Sequence, residues 1–194
     1  MPVEVSDRTQ PGAAELRLGE FTGLRRTIAI RGTARMVIAP ATCAVWATLT
    51  LALILFSDVP LATLLPLAVL VGGFEAIHAL HVGAERIGRY LQVQYEGSLD
   101  GPRWETAAMA IGPSLPGGGV DPLFAVVFTG ATLVNLLSAL LVLAEPTAAE
   151  LGVLAVAHAA FVFRVIRARI AATRQRAVEL ESFKTILFGQ RDRG

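Results

Sequence analysis

Two stretches of this chain, residues 36–57 and 122–144, contain no charged side chain. Each is longer than the ~18 apolar residues that carry a helix across a bilayer. Two further runs, 59–74 and 151–163, stop at Glu75 and Arg164. Long side chains near a span's end reach the headgroups along their own stems, so both runs extend past their first charge. Only 17% of the residues are charged against 54% hydrophobic, too little charge for a surface facing water throughout. The pattern predicts an all-α integral membrane protein with four transmembrane helices near 37–56, 61–80, 123–144 and 151–166.

The basic residues set the expected orientation. All 17 fall in three places: before the first span, in the connection after the second, and from Arg164 onward. The two tight connections, around Asp58 and between Glu145 and Glu150, carry acids only. The positive-inside rule therefore puts both termini in the cytoplasm and makes the protein multi-pass in the cell (inner) membrane. Residues 1–35 form a basic cytoplasmic segment without the apolar core of a signal peptide, so the first span is expected to be a retained anchor. Residues 36–166 are the membrane domain, including a cytoplasmic connection at 81–121, and 167–194 an amphipathic cytoplasmic helix. The alternation of basic and apolar residues in 13–35 suits the headgroup interface, whether helical or extended.

Beyond Leu80 no proline or turn cluster appears until residues 97–102, so 61–96 reads as one helix. Ile77, Leu80, Ala84, Ile87 and Leu91 make a narrow apolar stripe on it, with the spacing of a helix seam. The tail from Arg164 to about Phe188 is a similar continuation of the fourth span, its broken stripe being Ile166, Ile170, Ala177, Leu180, Phe183 and Leu187. Residues 104–111 read as a short interfacial helix anchored by Trp104, followed by a loop with Pro113, Pro116 and three glycines. That run lacks the Lys-Ser/Thr ending of a phosphate loop and follows no strand.

Chemistry concentrates at the inner end of the second span. Glu75 lies roughly 8 Å inside the expected boundary, at 1.5 Å per residue, where an ionisable group requires a partner, a proton or water. With His78, and with Asn135 and His158 on the third and fourth spans, it makes a candidate intramembrane polar cluster. Glu75-x-x-His78 has the spacing of a bundle di-iron ligand pair, but no second such motif accompanies it, and no protein metal site is expected. His78 and His158 are the pair a b-type haem would take as axial ligands, the one cofactor considered. His81, Glu85, Arg86, Arg89 and Tyr90 follow as a dense pattern on the cytoplasmic helix. Arg25, Arg26, Arg31, Arg35, Trp104, Arg164 and Arg167 are candidate contacts with anionic lipid headgroups. The single cysteine, Cys43, excludes an internal disulfide and a thiolate zinc site, and no nucleic-acid-binding motif is present.

No nucleophile sits beside a base, and two helical stripes need partners. The sequence therefore reads as a non-catalytic membrane subunit that assembles, through its transmembrane and cytoplasmic helices, into a homo-oligomer or larger complex. Its alternatives are a proton or cation pathway lined by Glu75, His78, Asn135 and His158, and a haem b electron-transfer subunit.

Overall fold

The computed structural model describes residues 11–96, 103–111, 123–142 and 147–189. The proline- and glycine-rich stretch at 113–119 and the last five residues lie outside them. The described residues form five helices: α1 (Pro11–Phe56), α2 (Leu64–Gln94), α3 (Trp104–Ile111), α4 (Ala125–Val142) and α5 (Ala148–Gly189), with a 3-10 turn at Pro60–Thr63 leading into α2. Three of them, α1, α2 and α5, are long and apolar enough to cross a bilayer, and α4 is a shorter apolar helix. This is an all-α, membrane-embedded protein.

Helix length separates the four. The 18 residues of α4 span about 27 Å, close to the ~30 Å hydrocarbon core, whereas the 46 of α1 and 42 of α5 run on for more than 60 Å. Pro40 sits inside α1 without ending it; a proline that would break a helix in water is tolerated where neighbouring helices satisfy the freed backbone. Pro66 falls in the first turn of α2, where its missing N–H would have had no helical partner. A reciprocal capping pair opens α5: the Glu150 carboxylate accepts from the Thr147 backbone N–H (3.0 Å), while Thr147 Oγ1 accepts from the Glu150 N–H (3.3 Å). Glu96 caps α3 by accepting from the backbone N–H groups of Glu105 and Thr106.

Side-chain pairs give the helix directions. Thr42 lies against Gly73, Arg35 against His81 and Glu20 against Tyr95, so α1 and α2 are antiparallel along most of their length. Glu75 meets Arg164 and Arg86 meets Glu179, so α2 and α5 are parallel. Phe128 and Asn135 of α4 meet Phe161 and His158 of α5, making that pair antiparallel. The ring order is α1, α2, α5, α4; α2 and α4 touch across the diagonal, and α1 and α5 do not meet among the described residues. Phe74, Phe128 and Phe161 fill the centre, the first edge-on to the other two at 5.5 and 5.8 Å. Gly73 is needed for the close α1–α2 approach, because a Cβ there would overlap the side chain of Thr42, which is β-branched and cannot swing away cheaply.

Polarity is reversed relative to a soluble bundle. Val126, Leu133, Leu137 and Leu141 of α4 point outward and are 54–79% exposed, while Asn135, Thr132 and His158 are buried. Hydrocarbon solvates the first set, and the second must satisfy one another.

Past the first turn of α4 the ring opens. There α1, α2 and α5 continue as a layer with α2 in the middle, and α3 packs on α2. The α2 stripe is partnered inside the chain: Ile77, Ala84 and Leu91 are buried, and Leu80 and Ile87 half-buried. The α5 stripe divides differently. Leu180, Phe183 and Leu187 are half-buried, but Ile166, Ile170 and Ala177 are exposed, and Val165 and Ala168 face the core instead. Residues 13–35, whose conformation the sequence leaves open, are helical and continuous with the first span.

Candidate functional site

The polar groups of the bundle form three levels. At the level nearest the α1–α2 connection, Asn135 of α4 joins α1, α5 and the 3-10 turn that leads into α2. Its Nδ2 donates to the backbone carbonyl of Thr63 (3.0 Å) and to His158 Nε2 (3.0 Å), and its Oδ1 accepts from Trp46 Nε1 (3.1 Å) and Thr50 Oγ1 (3.4 Å). His158 Nδ1 donates to the Leu154 carbonyl at 2.7 Å; since a backbone carbonyl only accepts, the proton sits on Nδ1 and Nε2 is left to accept. Both donors and both lone pairs of the Asn135 amide are used. Asn135 is fully buried and His158 2% exposed, so the hub is a closed network rather than an open site.

The three-phenylalanine layer lies below it, and below that comes a second level. Arg164 Nη2 donates to Glu75 Oε2 (2.7 Å) and to His78 Nδ1 (3.2 Å), with its guanidinium 5.7 Å from the Phe74 ring centre. A guanidinium has no acceptor, so His78 Nδ1 is unprotonated here. The side chains of Glu75 and Arg164 are 41% and 39% exposed: this cluster opens on the outer face of the bundle, between α2 and α5. The four residues expected to form one polar cluster thus fall into two pairs, Asn135 with His158 and Glu75 with His78, on either side of the aromatic layer.

The third level is the open layer. Arg35 donates to His81 Nδ1 (2.9 Å). Arg89, 5% exposed, bonds Glu179 and also reaches Glu85 at 3.4 Å, and Arg86 adds a second contact to Glu179 at 3.3 Å. Burial alone would raise the Glu179 pKa, but the Arg89, Gln175 and Arg86 bonds outweigh it and hold the carboxyl below its ordinary value. Tyr90 and Tyr95 donate to the two oxygens of Glu20, at 2.7 and 2.8 Å. Those bonds lower the Glu20 pKa; burial, together with Glu20, pushes both phenols up to about 12. Tyr90 also packs edge-on against Phe183 of α5 at 5.9 Å. His81 and Tyr90 therefore tie α2 to α1, and Arg86, Arg89 and Tyr90 tie it to α5, while Glu85 bonds Arg89 on its own helix.

The arginines considered as headgroup contacts have separate fates. Arg25 pairs with Glu105, whose carboxyl pKa is raised because burial outweighs that partner. Arg31 covers Gly83, occupying the space a Cβ would take, and Arg35 and Arg164 are engaged as described. Arg167 lies over the Phe163 ring at 5.7 Å, and Arg26 and Trp104 are exposed. Several partners escape sequence reasoning: Trp46, Thr50, the Thr63 carbonyl, Arg164 as the partner of Glu75, and the acids Glu20, Glu105 and Glu179. One signal was available for the first two, since Thr42, Trp46 and Thr50 recur every four residues as a polar line on an otherwise apolar span.

Among the described residues no group of three or more His, Cys, Asp or Glu side chains is placed to hold a metal ion. No protein-family model, curated protein or solved structure matches this chain.

Proposed function

We propose that this chain is a non-catalytic, four-span subunit of the cell membrane, with both termini cytoplasmic, that assembles with copies of itself or with other membrane subunits through its open helical layer. The observation that carries the assembly is apolar surface too far from any bilayer for lipid to cover. Val178 and Ile186 are 66% and 57% exposed and lie about 16 and 28 Å along α5 from Arg167. Leu18, 67% exposed, lies about 26 Å along α1 from Arg35. The headgroup region is only ~5–8 Å deep on each side. Val178 and Ile186 lie along one shallow cleft of α5, with Ser182 and Thr185 between them. Apolar side chains exposed this far outside the membrane call for protein.

Two features support the topology. The arginines of α1, α2 and α5 gather at one end of the bundle, as the pairs Arg35–His81, Arg86–Glu179 and Arg25–Glu105 require, while Asp58 and Glu150 lie at the other end. A cysteine at Trp104 or Thr185 in a Cys43→Ser background is expected to react with a membrane-impermeant maleimide only after the membrane is opened. One at Asp58 or Ala149 should react on intact cells. Reaction of Thr185→Cys on intact cells overturns the orientation.

For assembly, Val178→Asp/Ile186→Asp is expected to reduce the particle mass measured in mild detergent to that of a single chain, while circular dichroism keeps its helical content. A parent that runs as a single chain with no companion subunit defeats the reading. Because the Glu75–Arg164 pair opens outward, a proton or cation route through this protein would have to run between subunits, and so presupposes the same assembly.

A further inference from the structure

An open groove begins between Phe163 of α5 and His78 of α2 and continues past Arg167 along α5 alone. Its upper part, about 370 Å³, is lined by His78, Phe163, Arg164, Arg167, Ala171 and Gln175. The lower part, about 650 Å³, adds Ile170, Arg174 and Val178. Both volumes fall in the range of small-ligand sites. We infer that this groove binds one anionic phospholipid of the cytoplasmic leaflet, with the phosphate between Arg167 and Arg174 and an acyl chain against Phe163; the inference rests on the membrane topology proposed above.

Charge is the first argument. The acids at the groove's margin are already neutralised, Glu75 by Arg164 and Glu179 by Arg86 and Arg89. Gln175 is turned to Glu179 at 2.7 Å. Among the described residues neither Arg167 nor Arg174 has an acidic partner, so two guanidiniums seven residues apart face one opening. Two helical turns put their Cα atoms about 10.5 Å apart, a gap that two long side chains bridge by converging on a phosphate between them. Shape is the second argument. The groove crosses the expected inner boundary and sets apolar side chains, Phe163, Ala171 and Ile170, beside Arg167 and Arg174, which matches the two-part structure of a lipid and not that of a free anion. Clusters of basic side chains just beyond the cytoplasmic end of a span are where anionic headgroups gather.

Native mass spectrometry of the full chain in mild detergent, titrated with phosphatidylglycerol, phosphatidylcholine or inorganic phosphate, tests this. Phosphatidylglycerol is expected to be retained at least tenfold more strongly than phosphatidylcholine. The Arg167→Gln/Arg174→Gln variant should lose that preference while its melting temperature in phosphatidylcholine stays unchanged. Arg169→Gln/Arg176→Gln removes the same charge from another face of α5 and should keep the preference. Equal loss in the second variant means diffuse attraction, unchanged retention in the first means the lipid sits elsewhere, and displacement of the lipid by equimolar phosphate means a free-anion site; each of these overturns the inference. The same spectra report subunit mass, so a single chain that retains the lipid fails the assembly reading alone, and an oligomer without lipid preference fails this one alone.

Discussion

Asn135→Leu is expected to lower the melting temperature in detergent more than any other single substitution within the spans. Leucine matches the volume but removes four hydrogen bonds, leaving Trp46 Nε1, Thr50 Oγ1, the Thr63 carbonyl and His158 Nε2 facing an apolar side chain. An unpaired buried polar group costs about 1–3 kcal/mol, while interhelical hydrogen bonds in membranes average about 0.6 kcal/mol and reach about 1.7. With three bonds at 3.0–3.1 Å and one at 3.4 Å, the expected loss is about 2–5 kcal/mol by the lower membrane scale, or roughly 5–15 °C for a chain of this size. Thr50→Val removes only the longest bond and should cost under about 1 kcal/mol. Melting of Asn135→Leu within 1 °C of the parent would show that the hub does not hold the four helices together.

The second large effect belongs to the open layer. Arg89 and Glu179 have side chains 6% and 14% exposed, and removing one partner of a buried pair strands the other charge at a cost of about 3–5 kcal/mol. Arg86 and Gln175 still reach Glu179, so Arg89→Met should cost about 2–4 kcal/mol by the same reasoning. Arg89→Met/Glu179→Met should recover most of it, because two apolar side chains leave no stranded charge. Acid acts on the same bond. The Glu179 pKa is lower in the fold than its ordinary 4.5, so its contribution is fully present above pH 4.5 and is lost as pH falls through the lower folded value. Glu20, also lowered, acts in the same direction, whereas Glu105, raised by burial, opposes them. The difference between parent and Glu179→Gln unfolding curves isolates the Glu179 part: it should shrink towards zero below pH 4. A difference constant from pH 7 to pH 3 contradicts an ionised Glu179 as the clamp.

Membrane character, most of the helix expected over 61–96 and found over 64–94, the continuous tail and the short helix at 104–111 were legible in the sequence, because each depends on local terms: runs of apolar residues, no proline between Leu80 and residue 97, neither proline nor glycine from Arg164 to Phe188, and an anchoring tryptophan. The conformation of residues 13–35 was not. That segment has no single apolar face, and what holds it as a helix against α2 is a set of contacts with residues some 46 to 80 positions away: His81, Tyr90, Tyr95 and Glu105.

For the polar residues the sequence determined which positions lie at membrane depth and that none of them can be left alone there. Only the tertiary structure decided who satisfies whom. Position along a helix gives depth, but the direction a side chain faces depends on how the helices are rotated and how closely they approach. Rotation turned Asn135 inward to Trp46, Thr50 and His158, and turned Glu75 and His78 outward to Arg164. Packing then filled the space between the two pairs with Phe74, Phe128 and Phe161, three rings that meet edge-on, the arrangement aromatic side chains favour.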